Sequence, residues 1–153
     1  MKTLLLLLLV PPCIVFGRIG YTLEECVKRY GNPVRKVSDT SYVFQKSDVF
    51  IRVFLGPKKV GQIEYSKEKS GDYMKESLPY DFILGLLSIN SGSTLEEIRG
   101  GVGVTKAWGN QEKTMRAALL RTQPEILQVS TMDYVNWEKE QANKKAVAAL
   151  PGL

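Results

Sequence analysis

The hydrophobic pattern of this chain changes period along its length, and each change marks an element. Leu23, Cys26, Val27 and Tyr30 recur at helical spacing. Thr22 stands three residues before Glu25, the spacing at which a hydroxyl and a carboxylate each satisfy a free N–H at a helix start, and Gly31 with Pro33 ends the segment. From Val34 the period becomes two. Tyr42 to Lys46, Val49 to Leu55 and Val60 to Ser66 are rich in β-branched and aromatic residues, and Ser47-Asp48 and Gly56-Pro57-Lys58-Lys59 between them are turn sequences, which predicts three antiparallel strands joined by hairpins. In the middle strand Val49, Ile51, Val53 and Leu55 share one face, read as a core face, while Phe50, Arg52 and Phe54 share the other.

The polar stretch 67–77 reads as a connection. A second helix is predicted from Pro79 to Ile89, with Ser77 as its cap, proline in its first turn and Phe82, Ile83, Leu86 and Leu87 on its apolar side; Asn90 to Ser93 end it. Leu95 to Ile98 reads as a further helical turn and Gly100 to Gly103 as a flexible segment. Met115 to Arg121 and Ile126 to Met132 form a second strand pair around Thr122 to Glu125, and Asp133 to Leu150 has the Glu, Lys, Gln and Ala content of a helix stopped by Pro151-Gly152. A shift of 66 positions lays Met115, Ala117 and Leu119 over Val49, Ile51 and Val53, and Gln128-Val129 over Gln62-Ile63. Two helix-plus-hairpin half-repeats, 20–66 and 79–132, and chance agreement between two hairpins are both open readings. The expected fold is a single α+β domain over 18–153, an antiparallel sheet with helices packed on one face.

Lys2, the apolar run Leu4 to Val10 and Val15-Phe16-Gly17 have the pattern of a secretory signal peptide cleaved after Gly17. The run falls well short of the roughly 20 apolar residues a spanning helix needs, and Pro11-Pro12 interrupts it, so no transmembrane anchor is expected after processing. Cleavage before Cys13 with lipidation is the alternative, disfavoured by prolines at the scissile bond. The expected address is periplasmic or secreted. Processing removes Lys2 and lowers the formal charge from +5 to +4, spread over Lys-Arg pairs interleaved with Glu; nucleic acid is not an expected partner.

Cys26 is then the remaining cysteine, expected as a small buried thiol, so packing must hold the fold without an intrachain disulfide. There is no histidine, which removes the commonest general base and the commonest transition-metal ligand; no metal and no cofactor are expected. Ser66 and Lys69 have Ser-x-x-Lys spacing without the supporting motifs, Arg99 to Lys106 lacks the Walker spacing, and Glu24, Glu25, Glu96 and Glu97 sit where ordinary helix starts attract acids. Trp108 and Trp137 read as core or as interface anchors, with core favoured. The strongest candidate site is the second sheet face, where Phe50, Arg52 and Phe54 are expected to meet Tyr42 and Phe44: aromatics alternating with arginine have the composition of binding hot spots. Asp133 to Leu150 carries its apolar residues late, so it should cover that face only in part.

Gly20-Tyr21-Thr22-Leu23-Glu24-Glu25-Cys26-Val27, Tyr30-Gly31-Asn32-Pro33, Tyr42-Val43-Phe44 and Val60-Gly61-Gln62-Ile63-Glu64-Tyr65 together resemble the small exported modules shared by SmpA/OmlA outer-membrane assembly lipoproteins and β-lactamase inhibitor proteins. The resemblance covers residues 20 to 66 and implies a capped helix, a Gly-x-Pro corner and a strand meander. The chain departs from it in lacking a convincing lipidation site and the inhibitor's paired cysteines. It is also similar to uncharacterised exported bacterial proteins, which implies no activity. The function expected on these grounds is a non-catalytic binding or envelope-associated module with a protein partner on the sheet face; the alternative is a small hydrolase using carboxylates or the Ser-Lys pair.

Overall fold

A computed structural model describes residues 18–67, 77–92, 94–122 and 124–149. The expected signal peptide with Cys13, and Lys69 of the Ser-x-x-Lys spacing, lie outside the described residues.

The first half is a helix, α1 (Leu23–Tyr30), followed by four strands, β1 (Arg35–Ser38), β2 (Ser41–Lys46), β3 (Val49–Leu55) and β4 (Val60–Lys67). The second half repeats that order with α2 (Tyr80–Ser91), β5 (Glu96–Ile98), β6 (Val104–Gly109), β7 (Met115–Leu120) and β8 (Ile126–Thr131); α3 (Met132–Ala148) follows. The strands form one antiparallel sheet in the order β1-β2-β3-β4-β8-β7-β6-β5. The halves meet where β4 pairs with β8, and Ile63 there lies directly opposite Val129. Those two positions are 66 residues apart, so the topology interchanges the halves about this pair.

Local chemistry accounts for most of these boundaries. Thr22 and Glu25 make the reciprocal capping box, and Gly31 leaves α1 at φ 82°, a conformation open to glycine at little cost. The β2–β3 turn passes through Ser47 at φ 54°. Thr131 caps α3 by accepting from the Tyr134 N–H. Pro79 occupies the cap position of α2 without a side-chain bond, and α2 runs on to Ser91 with Gly92 left-handed beyond it.

Two expectations about local structure are corrected. Residues 96–98 form edge strand β5 rather than a helical turn, and directly after the segment read as flexible, Gly100 to Gly103, comes an unanticipated strand, β6, whose Trp108 is buried in the core. A register shift between Val104 and Lys106 breaks the alternation in β6, and β5 is exposed throughout. Neither shows a clean period of two. Short, charged edges of this kind are how sheets avoid pairing with another chain.

The core lies between one sheet face and α1 with α2. Ile51, Val53, Ile63, Tyr65, Leu127 and Val129 from the sheet meet Cys26, Ile83, Leu86 and Leu87 from the helices. Asn90 of α2 enters this layer, donating to the Tyr65 hydroxyl at 2.9 Å and to the Leu86 carbonyl at 2.8 Å. Burial pushes the Cys26 thiol up to about 11, first through desolvation and then through the neighbouring Glu25 charge.

The third helix packs on the opposite face, across β4 and β8. Its seat is a bulge: Phe54 pairs with Gln62 and Leu55 with Val60, leaving Gly61 unopposed. A Cβ at Gly61 would stand 2.5 Å from Tyr134 Cβ, so only a glycine allows this approach. Tyr134 and Val135 are buried there, and residues 142–149 of α3 and its cap are exposed.

Candidate functional site

The alternation that sends Ile51 and Val53 into the core sends Phe50, Arg52 and Phe54 to the second face, where all three are half-buried. The pairing register divides the remaining candidates. Tyr42 lies opposite Val53 and Phe44 opposite Ile51, so both are on the core face; Phe44 is fully buried and packs on Tyr30 with ring centroids 5.3 Å apart. The partners of the second-face row are instead Ser41, Val43 and Gln45. The expected cluster of five is therefore corrected to Phe50, Arg52 and Phe54. Residues directly opposite in an antiparallel pair share a face, and the tight two-residue turn at Ser47-Asp48 sets even positions of β2 against odd positions of β3.

A polar ladder that sequence reasoning missed crosses the second face. Arg52 Nε donates to Ser41 Oγ at 2.9 Å, and the guanidinium lies over the Phe54 ring with its carbon 4.6 Å from the centroid. The Glu64 carboxylate, opposite Arg52 in the next strand, comes no closer to it than 3.9 Å. Glu64 Oε1 accepts instead from Gln128 Nε2 at 3.2 Å and Gln62 Nε2 at 3.4 Å, and Ser130 Oγ donates to Gln62 Oε1 at 2.9 Å. The Glu64 side chain is 17% exposed. Desolvation raises its pKa above the ordinary 4.5, with the Gln128 bond and the Arg52 charge pulling the other way and Glu138 of α3 adding to the rise.

A concavity of about 430 Å³ opens beside this ladder, lined by Val34 and Arg35 at the β1 edge, Val43, Phe50, Arg52, Glu64 and Ser66 on the sheet, and Pro124 and Ile126 at the start of β8. Its size is that of a small-ligand site, and its lining combines an apolar floor with a few charged groups. Arg35, Val43 and Arg52 form one row across β1, β2 and β3. A second concavity of about 270 Å³ lies beyond Gln128, with Arg99 and Arg116 in its lining.

The acids weighed for catalysis are kept apart. Glu25 is engaged in the α1 cap, while Glu96 and Glu97 lie on β5 at the far edge of the sheet, with Glu97 bridged to Lys106 at 3.4 Å. Among the described residues no group of three or more Cys, Asp or Glu is placed to hold a metal ion, and no helix is long and apolar enough to cross a membrane. Trp137 is half-buried on α3, 5.7 Å from Tyr134 between ring centroids.

No family model matches the sequence, and no curated protein matches it. Among solved structures, a cysteine-rich secretory protein from Staphylococcus aureus aligns with 75% of this chain and 45% of its own, at 11% identity and a TM-score of 0.40. An extracellular protein containing an SCP domain from Bacillus anthracis aligns with 79% of this chain and 46% of its own, at 12% identity and a TM-score of 0.38. The chain thus spans less than half the length of either, and likenesses of this size bear on neither its fold nor its function.

Proposed function

We propose that this chain is an exported, non-catalytic binding module whose contact surface is the second sheet face around Phe50, Arg52 and Phe54, with a protein as its partner. The observation that carries this reading is the state of Arg52. Its Nε is bonded to Ser41 and its plane rests on Phe54, yet its side chain is 39% exposed at an open concavity with an apolar floor. An arginine immobilised in advance loses little further entropy on binding, and arginine beside aromatics is the composition of interface hot spots. Partial coverage of the face by α3 leaves it open to solvent. Export is supported by the leader pattern, and the likeness of residues 20–66 to exported envelope modules agrees with it. Among the described residues no pair of the acids weighed for catalysis converges to support the competing hydrolase reading.

The test is capture of the partner from the native envelope or secreted fraction by the parent and by Arg52→Gln, each checked for its unfolding midpoint. Glutamine is the suitable replacement because a glutamate at 52 would stand opposite the half-buried Glu64. Loss of capture with folding retained is expected. Equal capture by a folded Arg52→Gln protein would overturn the reading.

A further inference from the structure

Resting on that reading, we propose that the concavity between Arg35 and Arg52 receives the carboxyl terminus of the partner polypeptide, with an apolar last residue on the Val43 and Phe50 floor. Arg52 spends its Nε on Ser41, while the terminal nitrogen nearest Glu64 is 3.9 Å from that carboxylate, beyond hydrogen-bond length. The guanidinium therefore keeps donors of its fork unspent, in the geometry that takes a carboxylate by two parallel bonds. The Arg35 side chain is exposed and makes no hydrogen bond or ion pair among the described residues. Flanking Val43 on either side, the two arginines have Cα atoms about 10 Å apart, two strand spacings, so both side chains reach one group above Val43.

Charge selects the class of ligand. Arg35 and Arg52 against Glu64 leave the concavity with one net positive charge, the complement of a monoanionic carboxylate rather than of a dianionic phosphate. Val34, Val43, Phe50, Pro124 and Ile126 supply the apolar surface for a side chain. A chain end is favoured over a free small acid by the adjoining edge. Strand β1 ends the sheet, so among the described residues its outer backbone groups lack a strand partner and are available to an extended segment leading into the concavity.

The experiment titrates the protein, processed after Gly17, with an acetylated tetrapeptide ending in leucine, its C-terminal amide, N-acetyl-leucine and isoamyl phosphate, followed by calorimetry and by the NMR signal of Arg52 Nε–H. The free-acid tetrapeptide should bind at least about tenfold more tightly than the amide. It should lose that margin in Arg52→Gln and in Arg35→Gln, the latter a change on an exposed edge that leaves the core untouched. Glu64→Gln should bind it more tightly, because a negative charge leaves the site. Equal binding of acid and amide, tighter binding of isoamyl phosphate, N-acetyl-leucine matching the tetrapeptide, or no binding of any probe would each overturn the assignment. If the tetrapeptide fails while Arg52→Gln still abolishes partner capture, only the chain-end inference falls and the contact face stands.

Discussion

Replacing Gly61 by alanine adds a single methyl group at the seat of α3. The new Cβ would lie 2.5 Å from Tyr134 Cβ and Cδ2 and 2.6 Å from Cγ. Tyr134 Cβ is fixed to the helix backbone, so a rotamer change cannot relieve the contact, and either α3 shifts while docked or it leaves the sheet. Leaving exposes Val135, 3% exposed, and Tyr134, 6% exposed; at about 1.5 to 3 kcal/mol for each large apolar side chain, that route costs roughly 3 to 6 kcal/mol. Overpacking with a small displacement costs about 1 to 3 kcal/mol. The second route wins, so Gly61→Ala should lower stability by about 1 to 3 kcal/mol with α3 still in place. Urea unfolding followed by tryptophan fluorescence measures this, since Trp137 sits beside Tyr134 and Trp108 is in the core. A lower midpoint at an unchanged slope is expected. A Gly61→Ala protein as stable as the parent would refute the proposed bulge and the placement of α3.

Ile51→Asp should prevent stable folding, because Ile51 is fully buried mid-strand and an unpaired carboxylate there costs several kcal/mol, while Lys58→Ala in an exposed turn should leave the thermal midpoint unchanged. Gly85→Ala should stabilise by about 0.5 to 1 kcal/mol, as this exposed position inside α2 has no atom within 4 Å of an added Cβ. Glu64 binds its proton more tightly in the folded than in the unfolded chain, so its contribution to stability is greatest below 4.5 and is lost as pH rises through its raised folded value. Glu64→Gln keeps an acceptor for Gln62 and Gln128, and its urea midpoint should therefore gain on the parent's as pH rises through that window; a parent that gains on the variant would contradict the assignment. Cys26, buried and with its thiol held high, should react with alkylating reagents at neutral pH only as fast as the fold opens.

How far the sequence reveals this fold depends on how regular each signal is. The capping box at Thr22 and Glu25, the aliphatic row of β3 and the turn sequences on either side of it are local chemistry, and the structure places them where local chemistry predicts. Strands β5 and β6 were hidden because one is exposed on all sides and the other carries a register irregularity. The site was legible only by halves. Alternation within β3 put Phe50, Arg52 and Phe54 on one face, but which residues of β2 join them depends on register, and that turned Tyr42 and Phe44 into the core. The polar ladder is assembled from Ser41, Arg52, Gln62, Glu64, Gln128 and Ser130, on four strands, so no local window contains it. Its trace was the alternation of Gln62 and Glu64 with Ile63 and Tyr65, and of Gln128 and Ser130 with Leu127 and Val129.

The contact face itself is tested most directly by placing a photo-crosslinking phenylalanine at position 50, at the half-buried edge of the concavity, or at position 84, on the exposed outer side of α2, and irradiating each protein in its native envelope or secreted fraction. The account predicts a partner adduct from position 50 that disappears when Arg52→Gln is added, and none from position 84. An adduct from position 84 alone, or one from position 50 that is indifferent to Arg52→Gln, would contradict it.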